Sequence, residues 1–401
     1  MGTVSNLSAN PVASANINVL PANGGTGGYS TGFLNMYGEV AGSIGIQNQI
    51  NGSLISLTIQ LQLQIFDGTA WINITSPGIV VADTESLTVS GNESIQGTVT
   101  SANNAWELID YNVGTLASAA ASTYGIQINN TANSRVFKAT NSASSTTNGD
   151  RQESTVMLAR GATSLDLAMK GNGLQIAAFG FMMPFDYGDL PNTYAGSAHY
   201  IPLLDNNGAI SILANGTYNP KTTVIPSYSS RATIKLGTTI DADNAPNYST
   251  NADGDDNTGI DDEDGISNTV LNNITIKTND IQVTANNNSG GMAFIHAWLD
   301  TDQSGVFSTL NKLTMTDNTV PIGSTDLGRP IVLPANLKAG QYYSLRVRIA
   351  TGLTHADPEL AAPDGEVEDY RIYIKGYTIN GNVVNDANGV LGGATGPALG
   401  N

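Results

Sequence analysis

From Leu57 to Ile65 the chain alternates without a break: Leu57, Ile59, Leu61, Leu63 and Ile65 are apolar, and Thr58, Gln60, Gln62 and Gln64 between them are polar. A period of two places all five apolar side chains on one face of an extended strand, whereas a helix would scatter them around its axis. The turn at Asp67-Gly68 leads into Ala70 to Ile74, which reads as a hairpin partner. Further strands are expected at Thr155 to Leu158, Leu174 to Phe181, Asn273 to Lys277, Met292 to Leu299, Ser344 to Ala350 and Tyr370 to Lys375, and no segment carries an amphipathic helix of three turns. The reading is an all-β chain of tandem antiparallel β-sandwich domains with long acidic loops.

Three units are expected. Residues 1–180 form an N-terminal β-sandwich of unknown ligand, residues 181–376 an acidic second sandwich, and residues 377–401 the start of a further β module. Ser142 to Asp150 is the most linker-like run in the first half and could equally be a hairpin tip. Lys and Arg number 16 against 34 Asp and Glu, a net charge of −18, which repels nucleic acid and anionic membrane surfaces. Without a cysteine there is no disulfide, thiolate metal site or cysteine nucleophile. No apolar run approaches the ~20 residues of a membrane span. The chain reads as a piece of a larger exported protein, in which calcium can stiffen loops as disulfides do elsewhere.

The negative charge is concentrated. Between Asp241 and Asp264 there are nine acids and no Lys or Arg, so the segment either stays loosely solvated or wraps hard cations. Asp253, Asp255, Asp256, Asp261, Asp262 and Asp264 are the candidate calcium ligands there. A second candidate is the turn in which Asp300, Asp302 and Ser304 alternate, followed by Gly305 and the carbonyl of Val306. Oxygens at positions 1, 3 and 5 with glycine at 6 suit a tight calcium loop, although the distal glutamate and flanking helices of a full EF-hand are missing. A solvated Asx turn without metal gives the same pattern. In the third candidate, Asp364 to Ile374, a strand would place Glu366 and Glu368 on the face of Tyr370, Ile372 and Ile374, pointing inward, with Asp369 on the other face. Inward carboxylates need a cation, a donor or a proton, and the rival to a metal is pairing with Arg346 or Arg348.

Five motifs occur in an order that resembles the GEVED domain family: Phe185 to Tyr194 with Ala198 to Ile201, Leu236 to Ile266, Ala297 to Ser308, Tyr342 to Gly352, and the closing Asp364 to Ile374 that contains the family's name. The resemblance covers about 185–375. It implies a non-catalytic, calcium-stabilised module of large secreted or surface-anchored bacterial proteins, including adhesins, and it assigns a ligand to no residue. The apolar strand running into Asp186-Tyr187-Gly188-Asp189 is similar to the ligand-binding sandwich of fibrillar streptococcal-type adhesins. Ile379 to Gly389 is similar to the opening of B-type or carboxypeptidase-regulatory-like repeats.

Enzymatic signatures are lacking. His199, His296 and His355 are far apart and in no metal-ligand spacing, and there is no nucleophile elbow or phosphate-cradling loop. The acids cluster in loops too polar to raise one carboxyl selectively, which disfavours a glycosidase pair. Trp71, Trp106 and Trp298 are read as core residues, with sugar stacking the rival. The expected function is adhesion or display at the cell surface, with a glycan or protein of a host or neighbouring cell as partner and calcium as the cofactor. The alternatives are a structural subunit binding identical copies in a fibre, and a carbohydrate-binding accessory module of a secreted hydrolase.

Overall fold

The computed structural model describes residues 16–19, 44–48 and, with breaks at 84–92, 101–104, 114–123, 142–152, 206–212, 220–228, 255–260 and 352–356 and at a few shorter stretches, 54–376. The Ser142 to Asp150 run, Asp255, Asp256, His355 and the 377–401 segment lie outside the described residues. What is described is all β, joined by tight turns, a four-residue helix at Asn268–Leu271 and short 3-10 turns.

The first half stacks two six-stranded antiparallel sheets. One runs in the order Asn16–Val19, Ile44–Asn48, Gln175–Phe181, Gly78–Asp83, Glu153–Arg160, Ala105–Val113. The other runs Gly216–Tyr218, Tyr124–Asn130, Arg135–Asn141, Ser94–Val99, Ser164–Lys170, Leu54–Gln60. The period-two pattern is what builds it: Ile55, Leu57 and Ile59 point inward while their neighbours face water, and Leu165, Leu167 and Met169 do the same on the paired strand. Trp106 sits at the centre, fully buried, with its ring 4.6 Å from Phe137 and its indole N–H donating to Arg135 O at 3.0 Å. Gly97 lies beneath both rings, where a Cβ would come within 2.7 Å of Trp106 and 2.9 Å of Phe137, so the close approach requires glycine. Leu213 and the Gly216–Tyr218 strand return the chain to this core after residue 205.

The second half stacks two four-stranded sheets. Ile234–Leu236, Asp280–Asn287, Ser324–Val332 and Thr314–Met315 form one, and Thr319–Val320, Ala293–Leu299, Tyr342–Thr351 and Glu366–Tyr373 the other. Ile281, Val283, Ile295, Leu299, Val347 and Ile349 interdigitate between them. A strap, the Phe185–Tyr187 and Ala198–Tyr200 hairpin, lies on the outer face of the second of these sheets, anchored by Asp186 accepting from Val367 N at 2.6 Å and by Tyr200 N donating to Ala362 O at 2.9 Å. Next to it the halves touch, where the Tyr200 hydroxyl donates to Thr75 O and Leu360 packs on Gly68.

Three expectations are corrected. The alternation from Leu57 to Ile65 is not one strand: it breaks at Leu61-Gln62, and Leu63–Phe66 instead pairs with Trp71–Ile74 in a separate hairpin. Among the described residues that hairpin has no third strand, and Trp71 is 55% exposed, leaning on Phe66 at 5.3 Å, while Trp106 and Trp298 are fully buried. Asn273 to Lys277 is a turn with a single bridge from Thr275 to Lys375, since the Asn268–Leu271 helix, capped by Ser267, precedes it and leaves too little length for a strand.

Candidate functional site

The Glu366–Tyr373 strand organises the chemistry because alternation gives it two unlike faces. On the inner face Glu366 and Glu368 are buried above Tyr370 and Ile372, as the period-two reading expects. Glu366 Oε2 accepts from Leu236 N, and its Oε1 has no partner. Glu368 accepts from Gly265 N at 2.7 Å and from the Tyr370 hydroxyl at 2.6 Å, and that hydroxyl in turn accepts from Ile266 N. Burial, then Glu368, Asp186 and Asp262, push the Glu366 carboxyl well above the usual carboxylate range. Burial likewise lifts Glu368 to about 8, against the lowering effect of its two donors. Both glutamates are held where a proton or a cation is needed.

The pairing of these glutamates with Arg346 or Arg348, the rival to a metal, does not occur, because both arginines stand on the opposite face of the sheet. There Arg346 lies across from Asp369 and forms a two-pronged pair, Nε to Oδ1 and Nη2 to Oδ2 at 2.8 Å each, with both side chains fully buried. Asp369 also accepts from Leu190 N at 3.0 Å, and Arg346 Nη1 donates to Pro358 O and Ala195 O at 2.9 and 3.0 Å. Arg348 Nε donates to His199 Nε2 at 2.8 Å, which fixes the neutral imidazole with its proton on Nδ1, donating to Asp364 O. The strap is thus fastened through two arginines. Sequence reasoning missed this role of Asp369, Asp186 and His199; the signal was the alternation of Arg346 with Arg348, which puts two cations on one face where both need acceptors.

The Asp300 turn curls as its spacing predicts. Asp300 is buried; its Oδ1 accepts from Ser304 N at 3.1 Å, its Oδ2 from Gly305 N at 2.9 Å and from the Tyr194 hydroxyl at 2.7 Å. Gly305 takes φ +79°, the left-handed conformation that closes the bend. Ser304 Oγ stands 3.3 Å from Asp300 Oδ1 and 3.1 Å from Val306 O. Asp302 is exposed, and its carboxyl is held below the usual range first by the Asp300 carboxyl within hydrogen-bonding reach and then by Ser304. Oxygens of Asp300, Ser304 and Val306 therefore lie close together, with the Asp302 carboxyl beside Asp300. This donor set suits calcium. Burial and the bond to Asp300 raise the Tyr194 hydroxyl to about 12.

The Asp241 to Asp264 loop is divided. Asp264 accepts from the backbone and hydroxyls of Thr238 and Thr239, and Asp262 from Asp241 N at 2.9 Å. Both charges are felt by Glu368. Asp253 lies apart, accepting from Ser249 Oγ at 2.6 Å, and Asp261 is exposed. Among the described residues no three His, Asp or Glu side chains gather in a metal-holding arrangement, so a cation here would draw on backbone and hydroxyl oxygens as well. His296 is buried 6.0 Å from Trp298, a packed aromatic neighbour as its strand face suggests.

Two family models match the chain. Residues 2–182 match the surface adhesin CshA non-repetitive domain 2, and residues 294–373 match the GEVED domain. The GEVED match spans the strands that carry the Asp300 turn, both arginines and the two glutamates, a shorter stretch than the five motifs suggest. No curated protein matches the chain. Among the described residues no helix is long and apolar enough to cross a membrane. The chain therefore joins a region similar to a surface-adhesin domain to one similar to the GEVED domain, a pairing that points to a non-enzymatic protein of the cell surface.

Proposed function

We propose that this chain is a calcium-stabilised adhesion module, secreted or held at the cell surface, that binds a glycan or protein of a host or neighbouring cell. The observation that carries the reading is the match of residues 2–182 to a surface adhesin domain. Its calcium part rests on the Asp300 turn, where oxygens of Asp300, Ser304 and Val306 lie close together with the Asp302 carboxyl beside Asp300. Glu366 and Glu368, with Asp262 and Asp264 nearby, are the second place where a cation would relieve buried charge. A ligand bound only by the folded state raises the unfolding midpoint by mass action. Beads coated with the chain should adhere to a panel of cultured cells in calcium, and thermal unfolding should move upward by several degrees between excess chelator and millimolar calcium. Beads that bind no cells would overturn the adhesin reading, and an unmoved midpoint would overturn the calcium reading.

A further inference from the structure

The outer face of the Tyr342–Thr351 and Glu366–Tyr373 pair is covered at one end and open at the other. Register aligns three rows across it: Arg346 with Asp369, Ser344 with Arg371, and Tyr342 with Tyr373. The strap roofs the first row. Beyond it the face opens into a cleft of about 270 Å³, lined by the second row and by Tyr342 of the third, and walled by Asp300, Gln303, Gln341 and Tyr194.

Two groups in this cleft lack what their neighbours have. Arg371 is exposed and, among the described residues, forms no ion pair or hydrogen bond, in contrast to Arg346 one row away; its guanidinium is held 5.5 Å from the centre of the Tyr342 ring. Ser344 is buried, and its Oγ sits beside the Tyr194 hydroxyl without a hydrogen bond of good geometry. A buried hydroxyl in that state costs stability unless something reaches it. The acidic wall does not supply Arg371's partner: Asp300's oxygens are taken up by Ser304, Gly305 and Tyr194. The Tyr342 ring, 52% exposed, supplies apolar surface on the floor, and ring next to hydroxyl and amide is what a pyranose meets well. The volume lies just below the ~300–1,000 Å³ of sites for larger ligands, which suits one sugar residue at a chain end.

We infer that this cleft is a binding site for an acidic sugar, its carboxylate on Arg371 and its hydroxyls on Ser344 and the Gln341 amide. The planar guanidinium, oriented by Tyr342, can take a carboxylate two-pronged. The inference deepens the adhesin reading and relies on it only for where such a sugar would come from. It is tested with the full chain by saturation-transfer NMR and calorimetry using glucuronic acid and N-acetylneuraminic acid, with glucose and a glutamate-containing peptide as comparators. Expected are binding of at least one acid, at least tenfold weaker binding of glucose and the peptide, and a loss of about tenfold or more in Arg371→Met, with Arg371→Lys intermediate. Since Arg371 is an exposed strand residue, these variants should keep the parent's circular dichroism and midpoint. A folded chain that binds neither acid, binds glucose or the peptide as well, or is indifferent to Arg371→Met would overturn the inference. Sugar binding without cell adhesion would instead leave the cleft standing and remove the adhesin reading.

Discussion

Replacing Asp369 by Asn is the most direct test of how the strap is held. The substitution keeps shape and volume but removes the negative charge, and it turns one oxygen into an NH₂ that faces donors. With Nδ2 in the place of Oδ2, it meets Arg346 Nη2 and the Leu190 N–H, both of which now donate to that oxygen. Arg346 would remain fully buried as an uncompensated cation. Breaking a buried pair in this way costs about 3–5 kcal/mol, against about 0–1 kcal/mol for an exposed one. The control is built in: Asp317, half exposed, pairs with Arg329 at 3.2 Å, so Asp317→Asn should be almost silent. For a domain of this size each kcal/mol moves the midpoint by roughly 2–4 °C, so Asp369→Asn should lower it by about 10 °C. Urea unfolding would give the free energy. Hydrogen exchange of the 186–200 segment would give the place, because the Leu190 amide loses its acceptor and should exchange faster than in the parent. The double change Arg346→Met with Asp369→Leu should recover only part of the loss, since the carbonyls of Ala195 and Pro358 would lose their donor. A cost for Asp369→Asn no larger than that for Asp317→Asn, or unchanged exchange around Leu190, would refute the reasoning.

Gly97→Val should destabilise the first sandwich by about 1–3 kcal/mol through contact with Trp106 and Phe137, read as a lower urea midpoint with Trp106 fluorescence perturbed; an unchanged midpoint would mean the rings have room to move. Asp300→Asn together with Asp302→Asn should abolish most of the calcium-dependent rise in midpoint while changing the chelated protein less; equal losses in both conditions would mark an ordinary turn. Glu368, raised to about 8, and Glu366, raised well above its usual value, bind protons more tightly folded than unfolded. Their contribution is therefore fully present below about pH 4.5, the unfolded value, and that of Glu368 is lost as pH rises through about 8. In chelator, stability should fall over that window, and Glu366→Gln should flatten the fall; a profile unaffected by Glu366→Gln would exclude the buried carboxyl as its source.

Alternation made the sandwiches readable because each strand buries one face, and Leu57 or Val347 states its side of the sheet by position alone. The same rule placed Glu366 and Glu368 inward and Asp369 outward. It failed to say that the outward face is also buried, since a one-sheet period carries no record of a strap that arrives from residues 185–200 and covers it. Two arginines two residues apart must share a face, and two glutamates two residues apart must share one too, so register alone decides whether the sets meet. Here the register sets Val347 across from Glu368 and Arg346 across from Asp369, which sends cations and glutamates to opposite sides. The inner carboxylates are left with backbone amides and a tyrosine hydroxyl, and the outer pair fastens the strap. The Glu366–Tyr373 strand is thus two devices back to back, a lock facing out and a pair of buried carboxyls facing in. The curl of the Asp300 turn, by contrast, was legible, because a six-residue loop with glycine at its bend is closed by its own Ser304 and Gly305 amides, whereas the Tyr194 hydroxyl that also reaches Asp300 comes from a distant segment.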